Sequence, residues 1–260
     1  MRSPLAARDI SEYVSYAEER IILGPQEVQH AFQITGGFWK HNGKAKAPHA
    51  ILRSKKHSDG FISVPAGLKH IDVCRIFGDS LAMKIEFRCP EGIDWVIGSD
   101  HAAATFSYSV GVGLADCLVE ESSRLKHDFT EKTILPDGQE VQKWARHVIG
   151  PDEVVLQVEE LCTTNLTLKR VREGIIRAHP DYPIRFAPFV AMLVNRTGSD
   201  TFEGQPIISL LEIKFNEWAP ADFGGGLREC AGALGGGALG DADVGTPAGC
   251  GNRVGQQADV

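Results

Sequence analysis

Four short, nearly all-apolar runs place the strongest constraint on how this chain can fold. A strand covered on both faces is apolar throughout, whereas a strand with one solvated face alternates apolar and polar residues. Two of the runs are followed by stretches with helical apolar spacing, at 101–119 and 164–178. This alternation predicts an α/β fold with a central parallel sheet flanked by helices. The predicted strands are 94–98, 154–158, 189–194 and 206–213.

Composition and charge narrow the class of protein. With 43% apolar and 23% charged residues in a chain of 260, the composition excludes collagen-like, coiled-coil and wholly disordered chains. The longest apolar run, 186–194, is far shorter than the roughly 18 to 20 residues of a membrane span. The net charge of −7 disfavours nucleic acid as a partner. We therefore expect a small-molecule partner, no nucleic acid and no membrane.

The ends of the chain and the cysteines carry less information about fold and function. Residues 1–30 lack the apolar centre of a signal peptide, which predicts a cytoplasmic location. The six cysteines are widely spaced with no C-x2-C pair, so we interpret them as reduced and structural. Twelve of the 28 glycines fall between Gly224 and Gly255. So many glycines predict a flexible tail over 221–260 that does not fold alone.

The segment 154–167 is the most informative for chemistry. An apolar strand delivers Glu159 and Glu160, then a loop of small hydroxylated residues opens a helix. Backbone N–H groups and the positive end of a helix dipole bind a phosphate there. The two carboxylates can accept hydrogen bonds from neighbouring sugar hydroxyls, so the segment suits a ribose 5-phosphate. The open alternative is a solvated acid pair with Thr164 as an N-cap.

This segment resembles the signature of type I phosphoribosyltransferases, in which apolar residues precede two acids and a Thr-Thr-Gly-type turn. It departs from that pattern at Gln157 within the strand, at Glu160 in place of Asp, and at Asn165 in place of Gly. Asn tolerates a left-handed backbone better than other non-glycine residues, so we expect a left-handed turn at Asn165. A buried Gln157 requires a hydrogen-bond partner.

The resemblance implies a role for each residue of two turns. Glu159 and Glu160 would hold the ribose and would approach a metal only indirectly, through the ribose or water. For the turn that follows the 94–98 strand, the alternative to a ligand-binding role is an ordinary strand-to-helix connection. By the resemblance, this turn holds the pyrophosphate through Ser99, Asp100, His101, Ala102 and Ala103. The 5-phosphate would be bound by Cys162, Thr163, Thr164, Asn165, Leu166 and Thr167.

Residues 129–149 are predicted to form a hairpin with a Pro-Asp-Gly turn at its tip. In the family, a mobile catalytic loop lies at this point of the chain, and Lys132 matches a catalytic lysine of that loop. Lys143 or Arg146 could supply further positive charge. A solvated hairpin is the alternative.

Two further segments resemble orotate phosphoribosyltransferases in particular. The stretch 51–62 is similar to their N-terminal segment, with Arg53 at a base-contacting position and Lys55 in place of a glycine. It belongs to a stretch between Val28 and Ser58 that has six cations and no acid. This stretch either creates a positive field that attracts a polyanionic substrate or is an exposed basic loop. Arg196, at the end of the third strand, would pair with a planar carboxylate or else cap a carbonyl.

The resemblance as a whole implies a glycosyltransferase of pyrimidine (UMP) biosynthesis. Such an enzyme transfers phosphoribosyl from phosphoribosyl pyrophosphate to orotate, with Mg²⁺ as cofactor, and acts as a homodimer. It further implies an N-terminal hood and arm over 1–60, a core over 61–220, and the tail. Two alternatives stay open: a degenerate homologue that binds a nucleotide or phosphoribosyl pyrophosphate without turnover, and a purine-type phosphoribosyltransferase.

Overall fold

The structure, a computed structural model, describes residues 4–14, 21–43, 49–52, 54–86, 88–89, 92–117, 125–219 and 242–243. The chain divides into two compact units, one of residues 1–37 and 64–214 and the other of residues 38–63 and 215–260. Arg53 and all of the predicted tail except 242–243 lie outside the described residues. The division into hood, core and tail stays a prediction.

Helices and strands alternate along the described chain. After a 3-10 turn at Pro4–Ala6, the helices are α1 (Ile10–Val14), α2 (Pro25–Ile34), α3 (Val64–Leu68), α4 (Ile71–Ile85), α5 (Ala102–Cys117) and α6 (Leu166–Ala178). The strands of the first unit are β5 (Trp95–Gly98), β6 (Lys126–Phe129), β7 (Glu131–Ile134), β8 (Glu140–Lys143), β9 (Val154–Cys162), β10 (Arg185–Phe186), β11 (Val190–Asn195), β12 (Thr201–Phe202) and β13 (Gln205–Glu212). Those of the second unit are β1 (Phe38–Lys40), β2 (Ala50–Leu52), β3 (His57–Ser58), β4 (Gly60–Ile62), β14 (Glu217–Trp218) and β15 (Ala242–Asp243).

The central sheet of the first unit confirms the predicted α/β fold. Its strand order is β12-β13-β11-β9-β5-β6, with β10 beside the start of β9, and all of these pairs are parallel except β12 with β13. The four strands predicted from apolar runs are β5, β9, β11 and β13. Strand β9 is longer than predicted because its pairing with β11 continues to Cys162. The acid pair therefore lies within the strand rather than in a loop after it.

Helices cover this sheet, as the apolar strands require. Strand β11 is buried at every position, which shows that both of its faces are covered. Helix α5 packs on β5, β6 and β9, helix α4 packs on α5, and helix α6 contacts β9. One core cluster joins Trp95 and Val155 of the sheet to Val171 and Ile175 of α6. The predicted helices are confirmed, beginning at Ala102 and Leu166.

The polar residue inside β9 has the partner that its burial requires. Gln157 is 1% exposed; its Nε2 donates to the Leu168 carbonyl at 2.9 Å and its Oε1 accepts from Arg172 Nε at 3.2 Å. The Arg172 guanidinium lies 4.8 Å and 4.6 Å from the ring centroids of Phe186 and Phe202. Because Gln157 bonds both Leu168 and Arg172, it fastens β9 to helix α6.

The predicted hairpin is confirmed as the antiparallel pair β7 and β8. At its tip Asp137 Oδ1 accepts the backbone N–H of Gln139 at 2.9 Å, and Gly138 adopts a φ of +83°. The hairpin packs on α6, where a Cβ added to Gly174 would lie 2.3 Å from the Gln142 carbonyl oxygen. The hairpin is therefore seated on the helix that follows the acid pair.

The second unit is built from antiparallel strands. β1 pairs with β4, and a separate sheet has the order β14-β3-β2-β15. Lys55, in the turn between β2 and β3, has a φ of +66°, a left-handed conformation at the position where the family pattern has glycine. Among the residues that the structure describes in both units, no helix has the length and apolarity needed to cross a membrane.

Candidate functional site

Three neighbouring parallel strands, β5, β9 and β11, end at one edge of the central sheet. Ser99 follows β5, the acid pair lies near the end of β9, and Arg196 follows β11. The Arg196 backbone N–H donates to the Cys162 carbonyl at 2.8 Å. The structure thus brings the predicted pyrophosphate turn, the acid pair and the predicted base-binding arginine to the same edge. In open α/β sheets, this is the edge at which ligands bind.

Glu159 is the most deeply buried acid of the site, with 2% exposure. Its Oε2 accepts the Ser99 hydroxyl at 2.9 Å, whereas its Oε1, also buried, has no hydrogen-bond partner among the described residues. Burial raises the pKa of Glu159 well above its usual value, and Glu160 and Asp100 add to the rise. Hydrogen bonds from Ser99 oppose it. The buried carboxylate therefore favours a ligand that donates hydrogen bonds or carries positive charge.

Cys162 ends β9 below the predicted phosphate turn. Its thiol donates to the Thr164 carbonyl at 3.0 Å. Burial, together with the negative charges of Glu159 and Glu160, raises the pKa of Cys162 to about 12. The thiol is protonated at neutral pH, so its role here is to bond the turn rather than to act as a nucleophile.

The predicted phosphate turn has a backbone different from the one expected. Thr163 and Thr164 are exposed in a bend, and Leu166 and Thr167 form the first turn of α6. Asn165 is the N-cap residue of α6 with φ of −73°, so the expected left-handed conformation is wrong. The helix begins directly after the bend and no reversal of the chain is needed. The Asn165 side chain makes no capping hydrogen bond, which leaves the helix N-terminus to other acceptors.

The predicted pyrophosphate turn connects β5 to α5 by a tight path. A Cβ on Gly98 would lie 2.6 Å from the Ala103 carbonyl oxygen, so only glycine fits before the turn. His101 adopts a φ of +58° and its side chain is 88% exposed, while Ala102 begins the helix. Asp100 Oδ2 lies 3.5 Å from His101 Nε2. The turn places the N-terminus of α5 beside the acid pair.

Lys132 reaches the same region from β7. Together with Asp100, His101, Glu131 and Ile134 it lines a pocket of about 480 Å³. Its Nζ lies 2.5 Å from Glu140 Oε2, and Arg170 of α6 lies 2.7 Å from the other oxygen of Glu140. The hydrogen bond from Lys132 lowers the pKa of Glu140. Sequence reasoning missed both Glu140 and Arg170. The pairing of β7 with β8 brings Glu140 to Lys132, and the seating of the hairpin on α6 brings Arg170 to Glu140.

The other cations considered for the hairpin differ in position. Arg146 lies 2.7 Å from Asp128 Oδ1 and also pairs with Glu131, and its guanidinium lies 4.1 Å from the centre of the Phe129 ring. These contacts place Arg146 at the base of the hairpin. Lys143 is exposed at the end of β8.

A second pocket, of about 550 Å³, lies at the ends of β11 and β13 and was not predicted. Charged and polar side chains dominate its lining, which includes Asn195, Ser199, Asp200, Glu212 and Lys214. These residues flank the turn that begins at Arg196. Among the described residues, no cluster of three or more His, Cys, Asp or Glu side chains is arranged to hold a metal ion.

Comparisons with known proteins agree with this geometry. No protein-family model matches the chain. The orotate phosphoribosyltransferase of Bartonella tribocorum is 27% identical over 181 residues, which cover 67% of this chain and 83% of that protein. That of Bartonella henselae is 27% identical over 173 residues, with coverages of 66% and 79%.

The crystal structure of orotate phosphoribosyltransferase from Aeropyrum pernix superposes with a TM-score of 0.50 at 13% identity, covering 72% of this chain and 93% of that one. This structural likeness concerns the fold. The similarity to the Bartonella proteins agrees with two features of the structure. These are the strand order of the central sheet and the position of the acid pair at its edge. The chain is similar in sequence to orotate phosphoribosyltransferases, and its fold resembles that of the Aeropyrum pernix enzyme.

Proposed function

We propose that this protein transfers the phosphoribosyl group of phosphoribosyl pyrophosphate to orotate, which gives orotidine 5'-monophosphate and pyrophosphate. The observation that carries the proposal is the acid pair Glu159 and Glu160, which lies near the end of a buried strand, a short bend before the N-terminus of α6. A diol and a phosphate on one ribose match these two features. The similarity to orotate phosphoribosyltransferases supports orotate as the base.

The reaction breaks the bond from the anomeric carbon to a pyrophosphate oxygen and forms one to a ring nitrogen of the base. Such a displacement passes through an oxocarbenium-like state and needs positioning and charge stabilisation more than a strong base. In this proposal Glu159 and Glu160 hold the ribose and residues 162–167 hold its phosphate. Residues 99–103 with Lys132 bind the leaving pyrophosphate, and Arg196 binds the base.

Mg²⁺ is the cofactor that we propose, and the site's donors fit it. Mg²⁺ usually keeps several of its waters and binds substrate phosphates. Glu159 has a buried oxygen without a hydrogen-bond partner among the described residues, and this oxygen can accept a hydrogen bond from such a water or from a ribose hydroxyl. Bound with the substrate, the ion would neutralise charge on the leaving pyrophosphate. Glu159 and Glu160 would reach it only through the ribose hydroxyls or water.

Binding without turnover is the second candidate. Lys132 is held by Glu140, and Arg146 is held by Asp128 and Glu131. A substrate must therefore compete with Glu140 for the only hairpin lysine that lines the 480 Å³ pocket in the described part of the chain. A protein in which that exchange fails would bind phosphoribosyl pyrophosphate and release no pyrophosphate.

One assay separates the candidates. Purified protein, Mg²⁺ and phosphoribosyl pyrophosphate are mixed with orotate or with a purine base, and pyrophosphate release is followed. Release with orotate alone supports the proposal, release with a purine alone supports a purine-type enzyme, and binding by calorimetry without release supports the second candidate. Glu160→Gln should lower turnover by about 10²-fold, the scale of losing a group that stabilises the transition state.

The matched control is Glu173→Gln, which removes an exposed carboxylate of α6 that lies 3.9 Å from Lys169. This variant should turn over at the wild-type rate. Unchanged turnover in Glu160→Gln would refute the role of the acid pair. The homodimer and the cytoplasmic location stay predictions from the sequence.

A further inference from the structure

The residue that contacts Glu159 belongs to the predicted pyrophosphate turn. Ser99 is 5% exposed, and its hydroxyl donates to Glu159 Oε2 at 2.9 Å. The Ser99 hydroxyl is therefore directed at the acid and away from a ligand in the turn.

The two carboxylate oxygens of Glu159 therefore have different hydrogen-bonding environments. Oε2 is bonded to the Ser99 hydroxyl, whereas Oε1 is buried and has no hydrogen-bond partner among the described residues. A buried carboxylate oxygen without a donor is costly, so its presence in a site indicates a ligand that supplies the donor. A carboxylate held at one oxygen cannot rotate freely, which fixes where the other oxygen accepts that donor.

We propose that Ser99 is a positioning residue: it anchors Oε2 of Glu159 so that Oε1 accepts a hydroxyl of the ribose. This inference rests on the proposed function, since it requires a ribose at the acid pair. The role of Ser99 changes from contacting the pyrophosphate to linking the turn after β5 with the acid pair of β9. Ser99 and Glu159 come from adjacent strands, so the link also fixes the turn after β5 against β9.

The test compares two sugars on two protein variants. Calorimetry measures the affinity of the full-length protein for ribose 5-phosphate and for 2,3-dideoxyribose 5-phosphate, which lacks the diol. Ser99→Ala should weaken binding of ribose 5-phosphate by about tenfold, the scale of one hydrogen bond to a charged group, and leave the dideoxy sugar unaffected. A merely structural role of Ser99 would weaken both sugars equally.

Ser107→Ala is the matched control. Ser107 is a fully buried serine of α5 whose hydroxyl donates to the Ala104 carbonyl at 3.1 Å and contacts His127 Nε2 at 2.9 Å. It should bind both sugars as the wild type does. Thermal unfolding of each variant checks that it is folded.

Each other result overturns the inference in an identifiable way. If the wild type prefers the ribose but Ser99→Ala weakens both sugars equally, or neither, the positioning role is wrong and the proposed function survives. If the wild type binds the two sugars with equal affinity, Glu159 does not hold the diol. If the wild type binds neither sugar and releases no pyrophosphate, the proposed function fails together with the inference.

Discussion

Replacing Gly174 with alanine is expected to destabilise the protein, whereas the same change at Gly111 is expected to stabilise it. Both glycines lie inside helices, Gly174 in α6 and Gly111 in α5. Alanine in place of a helical glycine stabilises by about 0.5–1 kcal/mol, because it lowers the entropy of the unfolded chain. This gain is common to both variants, so the difference between them isolates the packing of the new methyl group.

The structure gives the size of that difference. At Gly111 the nearest atoms to the new Cβ are 3.9 Å away on Val96, which is an ordinary contact. At Gly174 the Cβ would lie 2.3 Å from the Gln142 carbonyl oxygen and 2.9 Å from its carbon. Because a comfortable carbon–oxygen contact is about 3.3 Å, the hairpin must move by about 1 Å. Overpacking of this kind costs about 1–3 kcal/mol, so Gly174→Ala should be less stable than Gly111→Ala by that amount.

Urea unfolding measures the difference. Trp144 is buried against Trp95 in the core beneath α6, with ring centroids 5.7 Å apart, so tryptophan fluorescence reports on this region. The free energies of unfolding of both variants and the wild type are extrapolated to water. A difference below about 0.5 kcal/mol between the two variants would show that the hairpin is not seated on α6.

Two further predictions concern titratable groups. Burial alone would raise the pKa of Glu153, but hydrogen bonds from Lys126 and Trp95 hold it at about 2, below its ordinary value of 4.5. The carboxylate therefore stabilises the fold above about pH 4.5, and the stabilisation is lost as pH falls through 2. Glu153→Gln should be less stable than the wild type by about 1–2 kcal/mol at pH 7, with the gap closing near pH 2; a gap independent of pH would contradict this. Cys162, whose pKa is raised to about 12, should resist iodoacetamide at pH 8 while the partly exposed Cys117 reacts, as mass spectrometry of the native protein would show; equal labelling of the two would be the contrary result.

The central sheet was predictable because its signal is local. A strand covered on both faces must be apolar along its own length, so each apolar run predicts a strand without information about the neighbouring strands. The same holds for the hairpin tip, where Pro136, Asp137 and Gly138 favour a turn by their own backbone preferences. The end of β9 was not predictable in this way, since the strand continues through Glu159 and Glu160 only because β11 pairs with it to Cys162.

Asn165 shows a limit of reasoning from a family pattern. A left-handed backbone was expected because the family signature has glycine at this position. In this chain Asn165 begins a helix with φ of −73°. Asn165 tolerates a left-handed conformation but does not require it. Whether the residue adopts that conformation depends on where the next helix starts. Lys55, in contrast, does adopt a φ of +66° at a place where the family pattern has glycine.

The sequence alone determined the layered α/β class, the order of the four main strands along the chain, and the presence of two acids before a helix start. Each of these is a property of contiguous residues. Only the tertiary structure decided that Ser99 bonds Glu159, that Lys132 and Arg170 both pair with Glu140, and that Gln157 bonds Arg172. Such contacts join residues that are distant along the chain, and their geometry depends on how strands, hairpin and helix pack against one another.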